Sequence, residues 1–238
     1  MTEKKPVERR ALSVTFVWLA AAFCVCLVAS NLFVPRLWRL GSLPLQLSGA
    51  VVIFPISYIL NDCLTEVYGF RKARLVIWIG FTLSAFIALA AQIVTMLPAP
   101  LYDESVPVAD SFNTLFRLVP HMTFASLVAF ICGSQINAWI MSKMKVATKG
   151  RGFWSRAIVS SLGGELADSI IFYPIAFAGS LPFMGIVGII FTQVIVKTLY
   201  EIIILPLTTV LVKKLKAHED LDTFDYNISY NPFKIRDI

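Results

Sequence analysis

The fold is decided by one stretch, residues 54–74, which reads FPISYILNDCLTEVYGFRKAR. It begins as an apolar run and places Asp62 and Glu66 four residues apart, on the same face of a helix. An acid inside a membrane segment costs several kcal/mol unless it faces protein or a wet cavity, so such residues indicate function. The stretch closes with three basic residues, Arg71, Lys72 and Arg74. Such a cluster predicts that the helix ends on the cytoplasmic side.

The composition predicts an integral membrane protein. Of the 238 residues, 57% are hydrophobic and 15% are charged, whereas an average soluble domain has about 25% charged residues. The net charge of +6 is spread over short basic clusters between apolar runs, which is typical of topology signals and not of nucleic-acid binding. The four cysteines and two histidines have no metal-ligand spacing, and the chain has no HExxH motif. We therefore expect no cofactor, no metal and no enzyme activity.

Apolar runs of about 20 residues, the length that crosses a bilayer, predict six transmembrane helices. They cover residues 12–34, 45–68, 75–97, 121–142, 157–179 and 182–212. The placement of lysine and arginine predicts that both termini are cytoplasmic. We expect an all-α membrane protein with a transmembrane domain over 1–216 and a cytoplasmic tail over 217–238.

Six charged side chains fall inside the predicted spans, namely Asp62, Glu66, Glu165, Asp168, Lys197 and Glu201. At the helical rise per residue, Asp62 and Glu165 lie about 14 Å from the nearest cytoplasmic basic residue, and Glu201 lies about 18 Å away. The middle of a hydrocarbon core lies near ~15 Å. Three separate spans thus bring a carboxylate to nearly the same depth, which predicts one polar chamber inside the membrane.

Some of these charges also have a purely structural interpretation. Glu66 is near the interface and would pair with Arg71, whereas Lys197 and Glu201 are four residues apart and would neutralise one another. Glu165 and Asp168 have no such cation beside them in sequence, and like charges on one helix face repel. That pair therefore favours a functional role.

Aromatic side chains accompany the acids in the predicted spans, and they serve either packing or stacking on a ligand. They include Tyr68, Phe172 and Tyr200. Pro55 and Pro174 are expected to interrupt their helices and to free backbone groups that line a site. A carboxylate accepts the two adjacent N–H donors of a guanine-like ring while an aromatic side chain stacks on its face. The pattern therefore favours a flat, donor-rich heterocycle as ligand.

Several segments resemble one known family. NDCLTEVYGFRKAR (61–74) is similar to the signature of the queuosine precursor transporters, a six-helix branch of the vitamin uptake transporter group. GELADSIIFYPIAF (164–177), KTLYEIIILPLTT (197–209) and DTFDYNISYNPF (222–233) also resemble that family. The resemblance covers essentially the whole chain.

The resemblance implies transport of 7-deazaguanine compounds, either the 7-cyano and 7-aminomethyl precursors of queuosine or the base queuine. An amide is more frequent in that family at the position of Glu165, so this acid is a departure from the pattern. The expected residues for substrate binding or coupling are Asp62, Glu66, Tyr68, Glu165, Asp168, Phe172, Lys197, Tyr200 and Glu201.

Three functions compete at this stage. The first is a secondary carrier in a bacterial inner membrane, because the chain has no ATPase motif of its own. The second is a substrate-binding subunit of an energy-coupling-factor importer, which has a similar six-helix plan and docks on its ATPase module through small residues of the first helix. Here that surface would be Ala20, Ala22, Cys24 and Cys26. The third, an intramembrane enzyme with paired carboxylates, has no further motif in its favour. A homodimer and an ATPase partner both stay open.

Overall fold

A computed structural model describes residues 13–34, 36–39, 46–117, 119–177, 179 and 182–234. Within these residues the chain forms seven α-helices and one antiparallel hairpin. The helices are α1 Val14–Phe33, α2 Phe54–Tyr68, α3 Phe70–Thr95, α4 Val106–Arg117, α5 Val119–Ala147, α6 Phe153–Phe177 and α7 Phe183–Glu219. The hairpin pairs β1 (Leu37–Arg39) with β2 (Gln46–Ser48), and a 3-10 turn over Gly49–Val52 leads from it into α2.

Four segments are long and apolar enough to cross a membrane, namely Val14–Phe33, Phe70–Thr95, Phe124–Ala147 and Phe183–Glu219. Large apolar side chains such as Trp18, Phe86 and Phe191 are exposed on them. In water such a surface would drive aggregation, whereas in a bilayer it faces lipid. The prediction of a helical membrane protein is confirmed, and the short hairpin is strand structure that it did not include.

The second predicted span, 45–68, is not one continuous helix. Its first part is β2 and the 3-10 turn, and α2 begins only at Phe54. Gly49 makes this possible, because its N–H donates to the Arg36 carbonyl at 2.7 Å and a Cβ there would lie 2.8 Å from the Phe33 carbonyl oxygen. Pro55 lies in the first turn of α2, where a missing N–H costs nothing. It therefore starts the helix rather than interrupting it.

The loop predicted after the second span is reduced to Gly69. This residue has φ +87°, a left-handed conformation that glycine adopts without steric cost. The next helix, α3, begins at Phe70, so Arg71 and Arg74 lie in its first turns. A side chain at residue 69 would also meet Thr223 Cγ2 at 2.8 Å.

The segment after α7, residues 220–234, folds back over the α2–α3 junction, and we call it the strap. Asp225 Oδ2 accepts hydrogen bonds from the Phe70 N–H at 2.9 Å and from Ser142 Oγ at 2.6 Å. Arg74 and Trp78 donate to three backbone carbonyls of the strap at 2.7–3.1 Å. The strap covers one end of the helix bundle, and we call that end the strap end.

The helices α5 and α6 approach each other most closely at two glycines. A Cβ on Gly164 would lie 2.8 Å from the Gly133 carbonyl oxygen and 2.8 Å from the Tyr58 ring. A Cβ on Gly133 would lie 2.8 Å from Asp168 Cβ. Because neither residue has a side chain, Tyr58 of α2 reaches the α6 backbone, and this contact positions the polar interior described below.

We predict that Gly164→Ala lowers the thermal unfolding midpoint of the purified protein, because the added methyl group meets backbone atoms that cannot move aside. Overpacking of this kind costs about 1–3 kcal/mol. The matched control is Gly188→Ala, since a Cβ on that residue meets nothing within 4 Å. Equal midpoints for the two variants would contradict the close approach of α5 and α6.

Candidate functional site

A small cavity lies where the hairpin meets the bundle, among α1, α2, α5, α6 and α7. Its lining residues are Asn31, Val34, Ser48, Ala50, Val51, Phe54, Ser126, Asp168, Phe172, Tyr173, Gln193 and Lys197. The cavity measures about 30 Å³, which is enough for water but far below the ~300–1,000 Å³ of ligand pockets. Binding of a heterocycle here therefore requires the surrounding side chains or helices to move apart.

One ion pair stands in the wall of this cavity. Lys197 Nζ of α7 lies 3.7 Å from Asp168 Oδ2 of α6 and 4.1 Å from the centroid of the Phe54 ring. Both charged residues are buried, and the rings of Phe172 and Tyr173 meet edge to face beside them, 5.0 Å apart. The wall thus offers an acceptor, a donor and apolar ring surface to one ligand. Lys197 is not held by Glu201, the partner that sequence spacing had suggested.

Three further acids, Asp62, Glu165 and Glu201, are buried deeper between α2, α6 and α7, and we call them the inner acids. They are 1%, 1% and 3% exposed, and none of them lines the cavity. The Asn137 amide lies near Asp62, and the Thr198 hydroxyl lies near Glu165. At hydrogen-bonding geometry, however, neither of these carboxylates has a partner in the part of the chain that the structure describes.

A chain of hydrogen bonds crosses four helices beside the inner acids. Asn61 Nδ2 of α2 donates to Asn137 Oδ1 of α5 at 2.9 Å, and Asn137 Nδ2 donates to Ser161 Oγ of α6 at 3.3 Å. Ser161 Oγ then donates to Glu201 Oε1 of α7 at 2.7 Å. All three hydrogen bonds of this series are donated in the direction of Glu201, so its carboxyl group is held in place as the final acceptor.

Glu66 is surrounded by cations at the strap end, in what we call the Glu66 cluster. Its Oε1 accepts from Arg156 Nη2 at 2.7 Å and from Lys216 Nζ at 2.6 Å, and Lys145 Nζ lies 3.8 Å away. Both lysines also bind Asp222 of the strap, at 2.6 and 2.9 Å. The Glu66 cluster therefore joins α2, α5, α6, α7 and the strap, and it replaces the pairing with Arg71 that sequence suggested.

Asp222 belongs to the strap and is partly exposed. Its burial alone would raise the pKa of the carboxyl, but hydrogen bonds from Lys145 and Lys216 outweigh this and hold the pKa below its ordinary value. The carboxyl therefore stays ionised at neutral pH and keeps the strap attached to both lysines.

The nine predicted site residues thus fall into different places. Asp168, Phe172 and Lys197 line the cavity, and Asp62, Glu165 and Glu201 are the inner acids. Glu66 and Tyr68 lie at the strap end, where the Tyr68 ring packs against Phe16 with centroids 5.0 Å apart. Tyr200 is half-buried on α7 and does not line the cavity. Their roles in binding or coupling stay predictions.

Several cavity residues were missed from the sequence. Gln193 carried a usable signal, because it is a polar residue one helical turn before Lys197 in an otherwise apolar helix. Asn31 and Ser126, which hydrogen-bond to each other across α1 and α5, carried none. Their separation of 95 residues is bridged only by the fold.

Membrane-crossing helices around buried charges define a multi-pass membrane protein with a polar interior. Residues 48–211 match the family described as "Putative vitamin uptake transporter", and the chain belongs to this family. The resemblance found in the sequence is thereby confirmed, and membership of a transporter family accords with a non-enzymatic role.

Two curated relatives agree with this family. A protein of Bacillus subtilis (strain 168) named "Probable queuosine precursor transporter" is 27% identical over 192 residues, which is 80% of each chain. A protein of the same name from Haemophilus influenzae is 25% identical over 190 residues, 75% of each chain. No solved structure matches the chain significantly.

We predict that Glu66→Gln strongly destabilises the protein, because it removes the counter-charge of buried Arg156 and leaves Lys145 and Lys216 with Asp222 alone. Removing one partner of a buried ion pair costs about 3–5 kcal/mol. Thermal unfolding in detergent measures the change, and Glu104→Gln, on the exposed α3–α4 connection, is the matched control. An unfolding midpoint equal to that of the control would show that the Glu66 cluster contributes nothing to stability.

Proposed function

We propose that this protein is a secondary carrier that imports 7-deazaguanine precursors of queuosine for tRNA modification. The observation that supports it best is the buried Asp168–Lys197 pair in a cavity with aromatic walls, in a chain that belongs to a transporter family. The names of the two relatives support the choice of substrate class.

The chemistry of the cavity wall suits a guanine-like ring. A carboxylate can accept two parallel N–H···O hydrogen bonds, so Asp168 would accept one from the ring N–H and one from the exocyclic amine of the base. Lys197 and the Gln193 amide are donors suited to the ring carbonyl. Phe172 and Tyr173 offer apolar surface for its faces. Binding of the ring would then separate the side chains of Asp168 and Lys197, whose charged atoms lie 3.7 Å apart here.

The proposed carrier crosses the membrane six times, with α2 and α6 added to the four apolar spans. The 25 residues of α6 extend about 37 Å, and its acids, which lower its hydropathy, are buried inside the bundle. The 15 residues of α2 extend only about 22 Å, and the 3-10 turn and the hairpin complete that crossing. Both termini and the strap end would be cytoplasmic, in a bacterial cell (inner) membrane.

No observation favours the alternative of a subunit that docks on an ATPase module. The small residues of α1 that would form the docking surface are engaged in the protein itself. Cys24 belongs to the buried core, and Ala20, Ala22 and Cys26 pack against it. A complete carrier is therefore the better proposal.

The decisive experiment is rescue of cells that cannot make queuosine. We expect expression of this protein to restore the modified base in tRNA when 7-cyano- or 7-aminomethyl-7-deazaguanine is supplied. The modified nucleoside is measured by mass spectrometry of digested tRNA. An absence of rescue with the protein present in the membrane would overturn the proposed function.

We predict that Asp168→Asn weakens substrate binding at least about 30-fold, because it removes the charged acceptor and leaves Lys197 buried without a partner. Loss of one member of a buried charge pair costs about 2–5 kcal/mol. Uptake of labelled precursor at several concentrations measures this. The control is Asp110→Asn, an exposed acid of α4. Wild-type affinity in Asp168→Asn would remove this residue from the site.

A further inference from the structure

The inner acids have no part in the substrate cavity and need a separate explanation. We infer that Asp62, Glu165 and Glu201, with Tyr58 among them, form a proton-binding site that couples substrate import to proton entry. The inference rests on the proposed function, since it names the ion that drives the same carrier.

Acidic groups outnumber cations in the interior around the inner acids. Asp62, Glu165, Asp168 and Glu201 are four buried carboxyl groups, and Lys197 is the cation near them. Lys197 forms an ion pair with Asp168, with its Nζ 3.7 Å from Asp168 Oδ2. An isolated carboxylate in an apolar interior is costly enough that the group takes up a proton instead. A proton bound by the inner acids would remove this cost while the site is closed as it is here.

The cations on the surrounding helices do not correct this imbalance. Residues 13–34, which include α1, have none. On α3, Lys72 lies over the rings of Phe16 and Tyr68, and Arg74 binds the strap. The cations of α5, α6 and α7 nearest the strap end, Lys145, Arg156 and Lys216, surround Glu66. These cations therefore do not neutralise the inner acids, which can be neutralised by binding protons instead.

Tyr58 places a buried hydroxyl near the acids, and within the described structure this hydroxyl is unpartnered. The residue is 2% exposed, and among the described residues its hydroxyl has no hydrogen-bond partner. All four buried carboxyl groups named above lie within electrostatic reach of it. A hydroxyl both donates and accepts, so it can hold a proton between two carboxylates. Tyr58 therefore links the inner acids to Asp168 in the cavity wall.

The spacing along α2 orders these groups into a path. Phe54, Tyr58, Asp62 and Glu66 follow one another every four residues, so each lies about one turn beyond the last and close to its face of the helix. Phe54 lines the cavity and Glu66 lies at the strap end, about 18 Å further along the axis. A proton bound at Asp62 therefore lies one helical turn from Glu66 and from the cations that Glu66 binds at the strap end.

The geometry favours a proton over a metal cation. In the described parts of the chain, no three Asp, Glu, His or Cys side chains are placed to hold one metal ion. A proton needs only a single carboxylate oxygen and no cavity. In each cycle an O–H bond forms with a proton from outside and breaks on the cytoplasmic side, and the substrate is chemically unchanged.

The test uses the full chain in proteoliposomes with labelled 7-aminomethyl-7-deazaguanine. Exchange is measured at equal pH on both sides, and accumulation is measured with the outside about two pH units more acidic. A dye in the lumen records acidification when unlabelled substrate is added. We expect the wild type to accumulate substrate at least tenfold above equilibrium, to acidify the lumen, and to lose both effects with a protonophore.

The variants separate coupling from binding. In Asp62→Asn we expect the ratio of accumulation to exchange to fall at least tenfold, whereas in Asp168→Asn accumulation and exchange fall together. Glu165→Gln repeats the first measurement should Asp62→Asn not fold, and Asp110→Asn is the control that keeps the wild-type ratio.

The possible failures are distinguishable. Exchange without any effect of the proton gradient, accumulation driven by a sodium gradient instead, or an unchanged ratio in both inner-acid variants would overturn the proton site and leave the proposed function standing. Absence of all exchange in the folded wild type would overturn the proposed function, and this inference with it.

Discussion

Burial of carboxylates in a low-dielectric interior is the constraint on which this structure depends. Each acid needs a cation, a set of donors or a proton, because an isolated negative charge there is prohibitive. The chain meets this need in three ways along α2 and its neighbours. Glu66 has three cations, Asp168 has one, and Asp62 has none within ion-pair distance in the described structure. The number of neighbouring cations thus falls from Glu66 through Asp168 to Asp62.

The two ion arrangements lie at opposite ends of α2 and differ in rigidity. The Glu66 cluster joins four helices and the strap by contacts of 2.6–2.9 Å, several of them shared. The Asp168–Lys197 contact is longer, at 3.7 Å, and it borders a cavity that is too small for the proposed ligand. The end with the Glu66 cluster is thus held tightly, and the end with the cavity is held loosely. This difference accords with the proposed carrier, in which only one side opens at a time.

Sequence reasoning found the helical membrane class and the acids, because both depend on local pattern. Asp62 and Glu66 four residues apart, and Glu165 three before Asp168, are visible in any helical register. It did not connect Lys145, Arg156 or Lys216 with a buried acid, because a basic residue at a helix end looks the same in sequence whether it faces water or such an acid. The structure alone joins them to Glu66, over separations of 79, 90 and 150 residues.

The departures from prediction have equally local causes. The start of the second span was missed because Gly49 and Pro55 sit in an apolar run whose hydropathy hides a hairpin and a turn. The cytoplasmic tail was predicted without its packing on the bundle, since polar residues in this segment carry no signal of packing. Its attachment depends on Gly69, whose missing side chain leaves room for Thr223 and Asp225.

The Glu66 cluster also has a consequence for biosynthesis. Glu66 is translated 90 residues before Arg156 and 150 residues before Lys216. At roughly 5–20 residues per second, Lys216 is added about 8–30 seconds after Glu66. Until then the Glu66 cluster is incomplete, and α2 lacks the contacts that hold its end to α6, α7 and the strap. The cluster can therefore form only after the final two helices and the strap have been made.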